Sequence, residues 1–441
     1  MGRALLTDLY ELNMASSYLR RGMTAPATFS LFVRNLPEDW GFLVACGLDR
    51  CLDFLEGFRF SDEDLTYLEK EQGYERPTLE AFASLRFTGS VRAIPEGRIV
   101  FADEPLLEVT APLPEAQLVE SYLLNQVTYQ TAVASKAARC RLAAPGADMV
   151  DFSFRRVHGG EAGLGVARAT TIAGFTATSN VEAARTLGLR ATGTMAHSYV
   201  EAFPSEIDAF RAFAQDFPDR VVLLVDTYDT ARGVRNAIEV AGELAARGQR
   251  LAGIRLDSGD LARLAVESRR ALDDAGLHEV RILASGGLDE HEIARLASRA
   301  APIDAFGVGT KVGVAEDAPA PDSVYKLVEY NGQAVCKLSL QKATLPGPKQ
   351  VWRTPNGDVI GLAWEAGPEE GEPLLVEVMK DGRRLDDGSI DAAAARFASD
   401  LEALPQDLRS LRASHREPGL TEELQDLAQQ VARRIRDREG L

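Results

Sequence analysis

Between residues 148 and 310 seven short apolar runs, "DMVDFSF", "AGFTATS", "RATGTMA", "VVLLVD", "LAGIRLD", "VRILASG" and "DAFGVGT", recur about every 20 to 32 residues. Most are followed by a helical pattern, as in "TARGVRNAIEVAGELAARG" and "DLARLAVESRRALDDAG". A continuously apolar strand is buried on both faces, and a helix after each strand returns the chain so that the next one lies parallel. The repeat predicts an α/β fold, and seven runs predict closure into an irregular TIM-like α/β barrel. An open doubly wound sheet is the alternative, and the lack of a GxGxxG after the first run speaks against it.

The flanks have another texture. Residues 26 to 113 alternate β-like runs ("ATFSLFV", "GSVRAI", "GRIVFA", "PLLEVT") with turns, and "GLDRCLDFLEGF" reads as a helix. "TAPLPEAQ" then opens a long amphipathic segment reaching Arg139. After about residue 325 hairpins return, with Asn356-Gly357 and Asp381-Gly382 as turn pairs, and "TEELQDLAQQVARRIRD" closes the chain as a helix. The expected organisation is 1–113 as the N-terminal part of a flanking α+β domain, 114–330 as the barrel, and 331–441 packing back on the N-terminal part.

Strand ends at the carboxyl side of a parallel sheet are where such folds build sites. "GIRLDSGDLA" puts Arg255, Asp257 and Ser258 at one of them. Residues two apart share a strand face, so Arg255 and Asp257 serve either as a ligand clamp or as an internal ion pair, with Ser258 or Asp260 capping the next helix. "LASGG" and "FGVGT" bring Gly286, Gly287, Gly309 and Thr310 to the last two strand ends, where backbone N–H groups can approach a phosphate. Lys311 follows directly, as a charge partner rather than a Schiff-base lysine. "DFSFRRVH" offers Phe152, Arg155 and Arg156, rings and guanidinium groups suited to a flat anionic heteroaromatic ligand. "ATGTMAHSYVEAF" presents Thr194 and His197 past a further run; with only five histidines in the chain, an imidazole at a strand end is either a packed structural group or part of the chemistry.

Composition narrows the partners. A formal charge of -17 and a pI near 4.9 exclude nucleic acid and anionic membrane as main partners, since both demand a basic footprint. No apolar run approaches the roughly 18 to 20 residues of a membrane span. Asp8 and Glu11 interrupt the start of the chain against a secretory signal, and Leu6 stands where a myristoylation signal needs Ser or Thr. Cys46, Cys51, Cys140 and Cys336 form no CxxC pair, which argues against a zinc knuckle or disulfide framework. The expected location is the cytoplasm.

The motifs "LLTDLYELNMA", "FVRNLP", "GTMAHSYVEAF", "DTYDT", "GIRLDSGDL", "FGVGT" and "YKL" resemble, in order and spacing, those of the nicotinate phosphoribosyltransferase family, from about residue 5 to beyond 350. The resemblance implies an ATP-dependent enzyme that moves a phosphoribosyl group from phosphoribosyl pyrophosphate to nicotinate, with Mg²⁺ carried by the phosphorylated substrates. It further implies an irregular barrel, a flanking domain built from both termini, and a homodimer with shared sites. By the same resemblance His197 is transiently phosphorylated, and Asp257 and Arg255 are catalytic. Tyr10 (from the neighbouring subunit), Phe152, Ser179, Thr194 and Arg255 address nicotinate. Arg34, Arg139, Arg156, Ser258, Gly286, Gly287, Gly309, Thr310 and Lys337 hold phosphate. Ser179 stands where nicotinamide-using relatives carry Asp, which favours the acid. The cysteines of zinc-binding relatives are absent, so no structural zinc and no fixed protein metal site are expected. Two readings compete: the same barrel acting on nicotinamide or quinolinate, and a catalytically silent sensor of the phosphorylated compound.

Overall fold

The computed structural model describes residues 4–339, 344–413 and 415–440; Met1, Gly2 and Arg3, part of the segment read for targeting signals, lie outside them. The chain divides into two compact units, one made of residues 1–132 and 320–441, the other of residues 133–319. The first change of unit falls inside the helix Glu120–Ala143, some way beyond the Pro-rich stretch where the texture of the sequence shifts. Texture marks where the apolar pattern changes, whereas a unit ends where contacts thin out.

In the first unit, strands from the two ends of the chain interleave in one antiparallel sheet. Its order is Gln333–Ala334, Ser323–Tyr330, Pro26–Val33, Pro105–Pro112, Ser90–Ala93, Val376–Lys380 and Arg383–Arg384. The residues between Lys380 and Arg383 turn as expected, Asp381 and Gly382 both adopting positive φ (48° and 72°). The other hairpin is shifted by one residue. Thr354 pairs with Gly357, so the turn is Pro355-Asn356 and Gly357 opens the second strand at φ 122°. Pro presets the φ of a turn's first central position, which moves the turn ahead of the Asn-Gly pair.

The second unit carries the parallel sheet. Its strands are β1 (Asp148–Asp151), β2 (Ala177–Thr178), β3 (Val221–Leu224), β4 (Leu251–Leu256), β5 (Arg281–Ser285) and β6 (Ala305–Val308). They pair in the order β2-β1-β6-β5-β4-β3, every ladder parallel. Helices Thr230–Ala245 and Leu261–Asp274 follow β3 and β4, each burying one stripe, such as Val234, Ala237, Val240, Ala241 and Leu244. Of the seven runs, "RATGTMA" makes no strand. It contributes a single bridge, Ala191 to Thr178, because Thr192, Gly193 and Thr194 offer little apolar surface to bury. Among the described residues no ladder joins β3 to that edge, so the sheet is a curled half-barrel rather than a hydrogen-bonded closed one. No described helix is long and apolar enough to cross a membrane.

Candidate active site

The carboxyl end of β4 collects the chemistry. Arg255, the fifth residue of that strand, sends Nη2 to Oδ1 of Asp257 (2.5 Å), Nε to Oγ of Ser285 at the end of β5 (2.7 Å), and Nη1 to Oγ1 of Thr194 (3.3 Å). Its guanidinium carbon stands 5.3 Å from the centre of the Phe152 ring, within cation–π reach. Ser285 Oγ in turn donates to Asp257 Oδ1 (2.6 Å). Burial opposes ionisation of Asp257, but the Ser285 hydrogen bond and the charge and hydrogen bond of Arg255, with His197 adding, outweigh it and hold this carboxyl below the ordinary range. Asp257 is therefore a carboxylate at neutral pH.

His197 is the first residue of the short helix His197–Glu201. Its Nδ1 lies 3.2 Å from Thr227 Oγ1 and its Nε2 3.7 Å from Asp257 Oδ2. Asp226, which follows Leu224 of β3 by two residues, accepts at Oδ2 from both the Asp257 N–H (2.8 Å) and Ser258 Oγ (2.8 Å). Its Oδ1 is buried with no hydrogen-bond partner among the described residues. Asp260 takes the helix cap, accepting from the Arg263 N–H, which leaves Ser258 to Asp226. Of the two readings of "RLDSGD", the structure shows the Arg255–Asp257 ion pair and the Asp260 cap, and the pair is only partly buried, with side-chain exposures of 14% and 25%.

At the last strand ends, Gly286 adopts φ 95°, and a Cβ there would lie 1.9 Å from the Asp257 carbonyl oxygen. Only glycine fits that turn. Lys311, after Gly309 and Thr310, donates to Asp289 Oδ2 (2.7 Å), the side chain that also caps the helix Glu290–Ser298 through the Glu292 N–H. The Asp289 hydrogen bond raises the Lys311 ammonium's pKa and keeps it protonated, which suits a charge partner and not a Schiff-base nucleophile.

The other expected site residues are distributed as follows. Phe152, Thr194, His197, Arg255, Asp257 and Ser258 come together, and Ser179 joins the same wall through its N–H to the Asp151 carbonyl (2.8 Å). Arg156 is exposed in the turn Phe154–Arg156. Arg139 is buried, its Nε 2.8 Å from Oε1 of the fully buried Glu290, which also pairs with Lys136 Nζ (2.7 Å). Tyr10, Arg34 and Lys337 belong to the first unit. Tyr10 is 49% exposed near the start of the helix Leu9–Arg20, Arg34 Nη1 lies 4.0 Å from Asp322, and the Lys337 N–H donates to Thr344 Oγ1 (3.2 Å). Asp226 and Thr227 open the motif "DTYDT" but carry no role of their own in the sequence; Asp226 also ends the run "VVLLVD", where the strand-end rule finds it.

Polar strand-end side chains and glycine turns gathered at one end of a curled parallel sheet define an α/β enzyme that handles a polar, anionic ligand. Comparison with known proteins gives the particular family. Residues 5–128 match the nicotinate phosphoribosyltransferase N-terminal domain and residues 147–343 the nicotinate phosphoribosyltransferase family. Nicotinate phosphoribosyltransferase pncB2 of Mycobacterium tuberculosis is 47% identical over 415 residues, covering 92% of this chain and 89% of that protein. The nicotinate phosphoribosyltransferase of Bacillus subtilis is 45% identical over 374 residues, 81% and 76% of the two chains. The crystal structure of human nicotinic acid phosphoribosyltransferase superposes with a TM-score of 0.86 at 30% identity, over 96% of this chain and 99% of that one. The chain belongs to the nicotinate phosphoribosyltransferase family.

Proposed function

We propose that this enzyme transfers the phosphoribosyl group of phosphoribosyl pyrophosphate to the ring nitrogen of nicotinate, giving nicotinate mononucleotide and pyrophosphate, with ATP hydrolysed through a phosphohistidine at His197. The observation that carries the reading is the Thr194, Arg255, Asp257 and His197 cluster beside the Phe152 ring. In the transfer, the pyridine nitrogen's lone pair forms the bond to the anomeric carbon as the bond to pyrophosphate breaks. Positive charge grows on the ribose, where a carboxylate held ionised, as Asp257 is, lowers the barrier. The nitrogen is already nucleophilic, so positioning does most of the work and no general base is needed. Phe152 offers a stacking face, and Thr194 and Arg255 offer donors to the nicotinate carboxylate.

Phosphate contacts are assigned to Gly286, Gly287, Gly309, Thr310 and Ser258, with Arg34, Arg156 and Lys337 as the cationic set; Arg139, buried against Glu290, is left to the structural cluster. Mg²⁺ enters with the phosphorylated substrates. The orphaned Oδ1 of Asp226 fits an interaction with the water shell such an ion keeps. Leu6, Leu9 and Tyr10, each about half exposed, suit burial against a second copy in a homodimer with shared sites. Within this reading the half-barrel is the hydrogen-bonded part of an irregular TIM-like barrel, the first unit is its flanking domain, no structural zinc is bound, and the enzyme works in the cytoplasm. Mixing the protein with nicotinate, phosphoribosyl pyrophosphate and Mg-ATP should yield the mononucleotide, and no product at saturating substrates would sink the proposal. Nicotinamide and quinolinate run alongside identify the base.

A further inference from the structure

One buried acidic side chain beside the Phe152 and Arg255 cluster has no part in the chemistry above. Asp151 ends β1 and is 1% exposed. Its Oδ1 accepts from the Ser153 N–H (2.8 Å) and Ser153 Oγ (2.5 Å), and its Oδ2 accepts from Thr178 Oγ1 at the end of β2 (2.7 Å). Its carbonyl accepts from the Ser179 N–H (2.8 Å). Thr178 Oγ1 also accepts from the Asn180 N–H (3.1 Å), and Asn180 caps the next helix through the Ala183 N–H (3.1 Å). One side chain thus ties together the ends of two neighbouring strands.

Those two ends carry Phe152 and Ser179, and there is little slack on the far side. The Phe152 N–H is bonded to the Val308 carbonyl (2.8 Å), and a Cβ at Gly307 would lie 2.5 Å from the Phe152 ring. At Gly313 a Cβ would lie 2.4 Å from the Ser153 side chain. The loop after β1 is therefore pressed against the turn after β6 and held from the other side by Asp151. The two oxygens of a carboxylate can take all three donors at once, which neither Asn nor a hydroxyl can do.

We infer that Asp151 is a positioning residue, acting through Ser153 and Thr178 to fix the spacing of Phe152 and Ser179 and so the preference for a pyridine acid over its amide. The inference rests on the proposed function, in which Phe152 offers a face to the ring, and on the family resemblance, which puts Ser179 beside the substituent. A wall that can drift by a few tenths of an ångström loses selectivity for the substituent before it loses the phosphoribosyl donor, whose proposed contacts, Arg156 apart, are placed on other loops.

The test is Thr178→Val, which keeps the shape of the side chain and removes the hydroxyl, with Thr178→Ser as rescue and Asp151→Asn as a second disruption. Expected for Thr178→Val are a nicotinate KM raised about 10-fold or more, a nicotinate-to-nicotinamide ratio of kcat/KM lowered by a similar factor, and a phosphoribosyl pyrophosphate KM within about twofold of wild type. Thr178→Ser should restore the first two. Equal shifts in both KM values, or unchanged selectivity, overturn the inference. Wild-type protein run in parallel separates the two layers. If wild type makes no mononucleotide, the proposed function fails and this inference with it, whereas wild-type turnover with unchanged selectivity in Thr178→Val removes this inference alone.

Discussion

His197 Nε2 faces Asp257 Oδ2 at 3.7 Å, and its other ring nitrogen is occupied by Thr227 Oγ1 at 3.2 Å. The hydroxyl fixes the ring's orientation, so a phosphoryl group placed on Nε2 would arrive next to the carboxylate assigned to the ribose. Charge on one group is thereby coupled to charge on the other at short range. His197→Ala should abolish an acid-labile phosphate on the protein and the stimulation by ATP, while leaving slow ATP-independent transfer measurable. Asp257→Asn should lower kcat by about 100-fold, the scale of one lost electrostatic stabiliser. Full ATP dependence in His197→Ala would remove that residue from the coupling.

Gly286 joins the turn proposed to hold phosphate to this pair. With φ 95° and a virtual Cβ 1.9 Å from the Asp257 carbonyl oxygen, it lets two strand ends lie against each other. Gly286→Ala therefore has to displace either its own turn or the main chain at Asp257. The expected result is a phosphoribosyl pyrophosphate KM raised at least 10-fold and a lowered kcat, since the turn and the carboxylate move together. Isothermal titration with phosphoribosyl pyrophosphate checks it, and unaltered affinity contradicts the close approach.

Much of this was legible from residue order, for a physical reason. Apolar runs followed by helical patterns specify a parallel sheet whatever the details, and a strand's end fixes which side chains face the site, which is how Arg255, Asp257 and the glycine turns could be named. The strand count was overestimated at "RATGTMA", where a short run with three small or polar residues looks strand-like but buries too little to earn a ladder. Asp151 and Thr178 went unnoticed because their role depends on two strands lying side by side, which spacing along the chain does not encode. The identity of Arg139's partner was hidden likewise, since Glu290 is 151 positions away.

That pairing has a stability consequence. Glu290 is fully buried between Lys136 and Arg139, whose side chains are 3% and 4% exposed. Removing the fully buried carboxylate weakens the compensation of both cations, although Lys136 keeps its pair with the more exposed Asp317 (2.5 Å), at a cost of up to about 3 kcal/mol. Glu290→Gln should lower the thermal midpoint by several degrees in differential scanning calorimetry, and by more than Glu182→Gln, whose partner Arg185 is on the surface. Equal midpoints for the two variants would mean the cluster is not a structural element.

The last prediction concerns pH and a carboxyl pair in the first unit. Gln117 Nε2 bridges Glu11 Oε2 (2.5 Å) and Glu120 Oε2 (3.0 Å), with Glu11 fully buried and Glu120 nearly so. Burial first, and then the nearby Glu11 charge, push the Glu120 carboxyl up to about 7. The folded protein therefore binds more protons than the unfolded chain between the ordinary glutamate range and about pH 7. Stability from this group is present below that window and lost as pH rises through it. Glu120→Gln keeps a neutral polar side chain at every pH, so its stability relative to wild type should improve by about 2 kcal/mol between pH 5 and pH 8. Urea unfolding of both proteins at the two pH values measures the difference, and parallel pH profiles would show that the pair is ionised in the native state.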